Sequence, residues 1–511
     1  AELTDESEIT LDNFTSLIDA KSWEEFMPRG VTKQLFNSFK KYYDPDIFRA
    51  AGKRIRAMAK AADDEDIEER IALIASIFKS FRNPDKETVL TPWRVVNMHL
   101  SESLGGYTFW DEDFSEIISE PRWVDQGEVT AEVFTPDSQI LEINSKSGLY
   151  PLYMAYSIYR VRRNAVNEPG SDQKFSHDEQ YSLWEKVLVD NIFVICKTPM
   201  AKSITKRTLL GFRDAKINAH FIENLVNTLR DRPKQFAKRI TEQSFWCRKG
   251  TGKMEFDAIV GNPPYQEETA KQQSETNGQA PRTNIFQYFQ IATDIISPKY
   301  SSLIYPGARW IHRSGKGMQK FGFDQINDRK LERIDFYPIS QDIFKDVAIA
   351  DGLTLVLKNN KKTTNGFTYV YHRGQIKTTV KISNPGDDLI PLDPQTKSII
   401  DKVDCVVKTN HLQYLHSRIM PRSLFGIESN FVESNPKAVK ELESTNEIDY
   451  SIEIKLFTND KAGKMGRAKW YVANKNVIPL DNQKYIDQWQ VVVSSANAGG
   501  QKRDNQVSIV D

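Results

Sequence analysis

Residues 255–265 read Glu-Phe-Asp-Ala-Ile-Val-Gly-Asn-Pro-Pro-Tyr, and this stretch decides the fold. The run from Ala258 to Val260 is apolar, too short for a helix, and bounded by Gly261 and two prolines. We therefore predict a buried strand that ends at this point. Because proline lacks an N–H and restricts the residue before it, the chain should leave the sheet at Asn262 as a stiff, extended turn.

The predicted turn offers three kinds of group to a ligand. Asn262 carries a side-chain amide. Pro263 and Pro264 have main-chain carbonyls and no N–H of their own, and Tyr265 carries an aromatic ring. In α/β sheets, ligands bind at the carboxyl ends of strands. Carbonyl oxygens accept hydrogen bonds from an amine, and a ring stacks on a planar group. The turn therefore suits a planar aromatic amine.

This motif carries a resemblance to a known family. The sequence Asn262-Pro263-Pro264-Tyr265 after an apolar strand resembles the catalytic motif of the amino-group methyltransferases, above all the N6-adenine DNA methyltransferases. It is most similar to the Eco57I-like methylases of restriction-modification systems. The resemblance implies that Asn262 and the Pro263 carbonyl accept the two N–H bonds of adenine, and that Tyr265 stacks on the flipped base. An ordinary proline turn is the alternative.

The resemblance implies S-adenosylmethionine as cofactor, with contacts that precede the motif in the sequence. Thr91 and Pro92 stand where the family has a Thr-Pro that closes over the methionine end of the cofactor; plain helix capping is the alternative. Glu142 matches the family's acid at the end of the first strand, and Asn144 and Gly148 occupy the turn after it. The family's common form has Asp-Pro and two glycines there. This departure leaves open a weak or altered cofactor site.

The family's second strand commonly ends in an acid that binds the ribose hydroxyls of the cofactor. Residues 191–196 predict this strand, but Lys197 and Thr198 follow it, and no acid occurs before Asp214. The ribose ligand therefore stays undetermined, and Lys197 is carried over by position alone.

Two aromatic residues are carried over from the resemblance. Residues 219–232 predict a helix, and Phe245, beyond it, matches the family's aromatic residue near the cofactor's adenine. Phe344 stands ahead of the last strand pair and is assigned to packing the target base. The polar stretch 266–284 should touch DNA or close over the site.

The pattern of elements predicts an α/β fold in three parts. Residues 1–88 have helical apolar spacing. Residues 89–360 alternate strands and helices, which favours a Rossmann-like S-adenosylmethionine-dependent methyltransferase domain with a mainly parallel sheet. After a linker of turn residues, 361–511 predict an α+β target-recognition domain, incomplete if the chain is a fragment. Its predicted DNA-binding residues are Lys464, Arg467 and Lys469. A generic domain with a basic loop is the alternative.

Composition narrows the function classes further. The formal net charge is +0, with 69 basic and 69 acidic residues, so charge alone does not indicate nucleic acid. Three cysteines without metal spacing and seven scattered histidines predict no metal site and a reducing, cytoplasmic setting. We expect neither a membrane span nor a secretory signal.

These features predict a site-specific adenine DNA methyltransferase of a restriction-modification system, with double-stranded DNA as partner. A nuclease domain or subunit would lie outside this chain, as part of a larger enzyme. Two alternatives stay open: a non-catalytic DNA-binding module with a decayed cofactor site, and a methyltransferase that acts on RNA or on protein glutamine. The recognition sequence and the oligomeric state do not follow from the sequence.

Overall fold

The protein is described by a computed structural model that covers most of the chain. The described residues are 8–28, 30–81, 90–166, 175–268, 282–314, 317–345, 347–349, 351–414, 419–420, 424–443, 447–463, 465–493 and 507–510. They divide into two compact units: the first ends at Lys397 and the second begins at Ser398.

Helices of the described residues are numbered in chain order. They are α1 Phe14–Leu17, α2 Ala20–Phe26, α3 Lys33–Phe39, α4 Pro45–Ala61, α5 Ile67–Ser80, α6 Trp93–Ser103, α7 Glu128–Val133, α8 Leu149–Val166, α9 His177–Asn191, α10 Pro199–Leu210, α11 Leu225–Asp231, α12 Pro233–Ile240, α13 Phe286–Ile296, α14 Ala308–Ile311, α15 Met318–Ile326, α16 Lys397–Thr409 and α17 Phe431–Ser434. Among these helices, none combines the length and the apolar character that crossing a bilayer requires.

Strands are numbered in the same way. They are β1 Gly106–Trp110, β2 Ile117–Val124, β3 Ile140–Ile143, β4 Ile192–Cys196, β5 Asn218–Phe221, β6 Ala258–Gly261, β7 Gln266–Glu268, β8 Arg282–Asn284, β9 Tyr300–Pro306, β10 Leu331–Tyr337, β11 Leu353–Asn359, β12 Phe367–Arg373, β13 Ile376–Ile382, β14 Val439–Glu441, β15 Glu453–Asn459, β16 Ala468–Asn474, β17 Gln490–Val493 and β18 Val507–Val510.

One large sheet organises the first unit. Within the described residues, nine strands pair in the order β13-β12-β10-β11-β9-β6-β3-β4-β5. The strands β5, β4, β3, β6 and β9 are parallel to one another, and helices connect them. β11 lies antiparallel between β9 and β10, β12 is parallel to β10, and β13 is antiparallel to β12. The predicted α/β fold with a mainly parallel sheet is confirmed.

The central strands are buried on both faces, which explains their continuous apolar runs. In β6, Val260 joins one apolar cluster and Ile259 joins the cluster on the other face. In β3, Ile140 and Leu141 divide in the same way, because successive side chains of a strand point to opposite faces. Each fully buried aliphatic side chain contributes about 1.5–3 kcal/mol, so this region anchors the sheet.

The N-terminal helices belong to the same compact unit as the sheet. In α5, Ile67 and Ile71 are fully buried in the apolar cluster that contains Tyr156 and Tyr159 of α8. The side chain of Arg70 is also buried, and it donates hydrogen bonds to main-chain carbonyls at the end of α10. The boundary predicted at 88/89 is therefore not a boundary between compact units, because the apolar face of α5 is covered by the sheet's own helices.

The boundary predicted at 360/361 also differs from the structure. β12 and β13 follow that position and belong to the large sheet. Phe367 and Tyr369 of β12 are buried in its core. The turn residues at 359–366 therefore link two strands of one sheet, and the first unit continues to Lys397.

The helix predicted over residues 219–232 is wrong at residues 219–221. The sequence predicts a helix from 219, whereas Asn218–Phe221 form β5 and the helix α11 begins at Leu225. Parallel pairing with β4 and the burial of Ala219 select the strand. Tertiary pairing overrides a weak local preference here.

The second unit is built around a smaller sheet. β15 and β16 form an antiparallel pair, and β14 adds to the other edge of β16. Ile454, Ala473 and Ile478 are buried in its apolar cluster. β17 and β18 form a separate antiparallel pair.

The unit boundary generates a prediction about truncation. A chain of residues 1–397 should unfold cooperatively at nearly the temperature of the first unit in the full chain. A chain of residues 1–360 should melt at a much lower temperature than the 1–397 chain, or aggregate. It lacks two strands and the buried side chains of β12, and this loss is comparable with the about 5–15 kcal/mol that stabilises a domain. Calorimetry or circular dichroism of the two fragments measures this difference. Equal melting temperatures would contradict the assignment of β12 and β13 to the core.

Candidate active site

Three neighbouring parallel strands end at the same edge of the sheet. The order β6-β3-β4 brings the turns after Gly261, Ile143 and Cys196 together, although they are far apart in the sequence. Glu142 in β3 pairs with Val260 in β6. A Cβ atom built on Gly261 would lie 3.6 Å from Glu142 Cγ. The acid of the first strand therefore lies beside the beginning of the Asn-Pro-Pro-Tyr turn.

Asn262 is oriented by a residue that the sequence had assigned to the cofactor. Its Nδ2 donates to Thr91 Oγ1 over 2.9 Å, and its Oδ1 is buried without a hydrogen-bond partner in the described structure. The hydroxyl of Thr91 does not cap α6, whose N-cap is the exposed Pro92. The capping alternative for Thr91 is therefore wrong. Since the bond to Thr91 fixes the orientation of the amide, the unpartnered carbonyl oxygen is the acceptor that Asn262 offers to a ligand.

The rest of the motif is rigid. Pro263 is buried and Pro264 half-buried. The carbonyl of Tyr265 accepts a hydrogen bond of 3.0 Å from the N–H of Ile285, which ties the turn to the start of α13. The ring of Tyr265 packs against two apolar clusters, and its hydroxyl is buried without a partner. Burial raises the pKa of this hydroxyl, against an opposing contribution from the Asn262 amide.

Phe344 lies in one of the two clusters that support Tyr265. Its side chain is 4% exposed. That burial places it within the packing behind the Tyr265 ring, and its predicted contact with the target base stays a prediction.

Buried acceptors without partners also gather at the end of β3. Glu142 is 6% exposed and Asn144 is 7% exposed, and neither Glu142 Oε2 nor Asn144 Oδ1 has a partner among the described residues. Asn144 has φ 75°, a left-handed conformation that asparagine tolerates better than most residues. Its N–H donates to the carbonyl of Ile195, which joins the two turns. An unsatisfied buried polar group costs about 1–3 kcal/mol, so such a cluster is typical of a site for a polar ligand.

The electrostatics of Glu142 follow from this burial. Burial raises the pKa of its carboxyl to about 8, although a hydrogen bond with Ser145 opposes the shift. The carboxyl therefore carries a proton at neutral pH until a cation approaches it. An ammonium group is a ligand that would favour the ionised form.

The sequence did not reveal the histidine behind the site. His99 is fully buried in α6, with Nδ1 at 2.8 Å from the Tyr150 hydroxyl and Nε2 at 2.9 Å from Ser302 Oγ. Burial lowers the pKa of His99 to about 3, so the imidazole is neutral. It links α6, α8 and β9 beneath the turn. A lone histidine at a helical position gives no sequence signal for this role.

The end of β4 holds a second feature that the sequence did not reveal. Thr198 caps α10 and donates from Oγ1 to Glu25 Oε2 over 2.5 Å, which brings a carboxylate of α2 to this edge of the sheet. Lys197, which was assigned by position, is half-buried beside it at the same strand end.

Two predicted cofactor residues have other surroundings. A Cβ atom on Gly148 would approach Thr205 Cα and Thr208 Cβ at 3.1 Å, so glycine is needed there for packing on α10 and for its φ of 77°. These contacts account for the glycine, and the predicted role of Gly148 in the cofactor site stays a prediction. Phe245 packs against His220 and Trp246, with their ring centroids at 4.6 and 4.8 Å. The predicted position of Phe245 near the cofactor's adenine stays a prediction.

The predicted DNA-binding residues lie in the second unit. Lys464 lies outside the described residues. Arg467 is exposed in the segment between β15 and β16. Lys469 forms an ion pair of 3.0 Å with Glu441, which also raises its pKa. Arg467 is therefore the more accessible of the two described cations.

Within the described ranges, no three histidine, cysteine or acidic side chains are grouped as a metal site would require.

The raised pKa of Glu142 predicts a pH-dependent stability. Unfolding returns the carboxyl to its usual pKa of 4.5, so wild-type stability is lost as the pH rises from that value through about 8. Glu142→Gln keeps the neutral form at every pH. Its melting temperature should match the wild type near pH 4.5 and exceed it increasingly up to pH 8. Differential scanning calorimetry at several pH values measures this gap, and a constant gap would contradict the burial of a neutral Glu142.

Comparison with known proteins gives three results. Residues 190–344 match the model of the Eco57I restriction-modification methylase family. No curated protein matches the chain. Several solved structures are similar at low sequence identity.

One is a chain of a type I restriction-modification system, with 12% identity, a TM-score of 0.35, and coverage of 70% of this chain and 60% of that one. Another is an ATP-dependent type ISP restriction-modification enzyme bound to DNA, with 14% identity, a TM-score of 0.36, and coverage of 68% and 23%. A third is a type I methyltransferase subunit from Streptococcus thermophilus, with 13% identity, a TM-score of 0.34, and coverage of 77% and 67%. The matched region thus spans 60% of the first chain and 23% of the second. The Asn-Pro-Pro-Tyr motif and the first of the three comparisons agree: residues 190–344 of this chain, which contain the motif, match the model of the Eco57I restriction-modification methylases.

Proposed function

We propose that this chain is a site-specific DNA methyltransferase of a restriction-modification system, which transfers a methyl group from S-adenosylmethionine to N6 of adenine in duplex DNA. The observation that carries the proposal is the buried, unpartnered Oδ1 of Asn262 at the end of β6, with its amide oriented by Thr91. A fixed acceptor in a dry turn is what an exocyclic amine requires. The family match over 190–344 supports the same chemistry.

The residues at the strand ends fit S-adenosylmethionine. Glu142 Oε2 and Asn144 Oδ1 are buried acceptors without partners, and the ammonium group of the cofactor is a donor that would satisfy them. Thr91 and Pro92 would lie on the other side of the catalytic turn. When bound, S-adenosylmethionine supplies an electrophilic methyl group on a positively charged sulfur.

The residues of the turn would activate the amine by position. The lone pair of the adenine amine is delocalised into the ring, which makes it a poor nucleophile. Asn262 Oδ1 and the Pro263 carbonyl would accept its two N–H bonds and favour a tetrahedral nitrogen with a localised lone pair. Preorganised acceptors in a water-excluded site act without reorganisation during the reaction.

The target base must leave the duplex to reach this turn. The ring of Tyr265 would stack on the extruded base, and the apolar clusters that hold the ring, including Phe344, would keep it in place. The polar stretch 266–284 begins and ends in the short pair β7 and β8, and its residues 269–281 lie outside the described ones. We assign it to contact with DNA.

We assign target recognition to the second unit. On its small sheet, Phe457 and Trp470 are exposed by 61% and 51%, with ring centroids 5.0 Å apart. The ammonium of Lys455 lies 6.0 Å from the centroid of the Trp470 ring, and Arg467 is exposed nearby in the sequence. Exposed aromatic rings beside cations suit stacking and phosphate contact. A nuclease domain or subunit outside this chain would complete the restriction function.

The catalytic assignment predicts the effect of Asn262→Ala. This variant should lose methylation by ~10² or more, since removing one preorganised acceptor in a dry site has an effect of this size. Thr91→Val leaves Oδ1 in place but removes its orientation, so it should lose less, by about 10-fold. Transfer of radiolabelled methyl groups to duplex DNA, followed by nucleoside analysis for N6-methyladenine, measures both effects.

Cofactor affinity is the control for both variants and should be preserved. Near-normal methylation by Asn262→Ala would refute the assignment. Methylation of RNA or of a protein glutamine in place of DNA would favour the alternative methyltransferases. A wild-type chain that binds DNA but not S-adenosylmethionine would be a non-catalytic module with a decayed cofactor site.

The recognition assignment predicts a contrast between two cations. Arg467→Ala should weaken binding to every duplex. It should also reduce the slope of log affinity against log salt concentration by the amount of about one phosphate contact. Lys469→Ala should have a smaller effect, because Glu441 already pairs with this ammonium. Fluorescence anisotropy with several duplexes at several salt concentrations compares the two. Equal effects, or none for Arg467→Ala, would place the phosphate contacts elsewhere.

A further inference from the structure

An acid is missing in the sequence after β4, but the fold supplies one there. Thr198 stands two residues after the last residue of β4, Cys196. Its hydroxyl donates to Glu25 Oε2. Glu25 is 6% exposed, and its other oxygen, Oε1, is buried without a partner in the described structure. A carboxylate from α2 therefore occupies the place where the sequence after β4 offers only a lysine and a threonine.

The helix α2 is held in this position by further contacts. Ser22 accepts a hydrogen bond of 3.2 Å from the N–H of Met200 at the start of α10. On the other side, the ammonium of Lys146, in the turn after β3, lies 5.9 Å from the centroid of the Phe26 ring. The helix thus reaches the turns after both β3 and β4, and the turn after β3 carries the unpartnered Oδ1 of Asn144.

Glu25 and Glu142 approach the same strand end. Burial raises the pKa of the Cys196 thiol, and the charges of both carboxylates add to that shift. Two buried carboxyl groups at adjacent strand ends, each with one oxygen that lacks a partner, are costly unless separate donors satisfy them. The donors of S-adenosylmethionine include two well-separated sets, the ammonium group and the ribose hydroxyls.

We propose that Glu25 is the ribose-binding carboxylate of the cofactor site, contributed by the N-terminal helix α2 in place of an acid after β4. This inference rests on the proposed function. Thr198 holds Oε2, so Oε1 is left to accept a hydrogen bond from a ribose hydroxyl. Glu142, at the end of β3, then serves the ammonium group. The N-terminal helices are part of the cofactor site, and the site is incomplete without them.

A purely structural role for Glu25 makes a different prediction. If it only anchored α2 to α10, its substitution would change stability without any dependence on the ribose hydroxyls of a ligand. The two roles are separated by combining a variant of Glu25 with ligands that lack those hydroxyls.

The experiment is isothermal titration of the full chain with S-adenosylhomocysteine and with its 2′-deoxy and 3′-deoxy analogues. The variants are Glu25→Gln, which is isosteric, and Glu24→Gln, on the exposed side of the same helix, as the matched control. A hydrogen bond to a charged group corresponds to about 10- to 100-fold in affinity. Glu25→Gln should bind S-adenosylhomocysteine weaker by that factor, and Glu24→Gln should bind it as the wild type does.

The deoxy analogues provide the decisive comparison. The wild type should bind at least one of them about 10-fold or more weakly than S-adenosylhomocysteine, and Glu25→Gln should lose little further affinity for that analogue. Thermal melting without ligand checks that the variants fold. Thr198→Val removes the donor to Glu25 Oε2. This variant should bind S-adenosylhomocysteine more weakly than the wild type does, but should bind the discriminated deoxy analogue as the wild type does.

Three results would overturn the inference. One is unchanged affinity of Glu25→Gln for S-adenosylhomocysteine. Another is a loss of affinity from S-adenosylhomocysteine to the deoxy analogues that is equal in the wild type and in Glu25→Gln. Whether or not Glu25→Gln melts at a lower temperature, that result would leave Glu25 only its anchoring role. The third applies even if Glu25→Gln does not fold: equal affinity of the wild type for S-adenosylhomocysteine and both deoxy analogues would also overturn the inference. A wild type that binds none of them would instead refute the proposed cofactor site itself, and the inference with it.

Discussion

The parallel pairing of β3 with β6 is the constraint on which the site depends. It places Glu142 opposite Val260, one residue before the glycine that leads into the Asn-Pro-Pro-Tyr turn. Parallel strands end at the same edge, so every side chain after them is brought to one region by the sheet alone. The burial of both faces by helices makes this pairing rigid, because shifting either strand by one residue would exchange its two apolar faces.

That rigid edge carries polar groups that the fold itself does not satisfy. Glu142, Asn144 and Asn262 each have a buried oxygen without a partner in the described structure. Buried polar groups are normally paired, so their concentration at one sheet edge, within an otherwise apolar core, is a cost in stability. Such a cost is expected where a ligand supplies the missing donors, and its position here coincides with the Asn-Pro-Pro-Tyr turn.

The N-terminal helices connect to this edge in two ways. α5 covers α8 with its apolar face, and Arg70 binds the carbonyls at the end of α10. α2 brings Glu25 to the beginning of α10. The helix α10, which packs on the large sheet, is therefore contacted at both ends by the N-terminal helices. A segment that sequence patterns describe as a separate helical region is in this way part of the compact unit that holds the site.

The sequence by itself determined the local features around the motif. Short apolar runs, the two prolines and the glycine specify a strand followed by a stiff turn, because these signals act through the dihedral angles of a few neighbouring residues. The α/β class followed from the alternation of strand and helix patterns over 89–360, and the resemblance to the methylase family followed from the Asn-Pro-Pro-Tyr motif. Only the tertiary structure decided which distant groups meet there: Thr91 on the amide of Asn262, Glu25 on Thr198, and β12 and β13 in the large sheet. These contacts join residues more than 150 positions apart or depend on strand pairing, and no local preference of the chain encodes a partner at such separations.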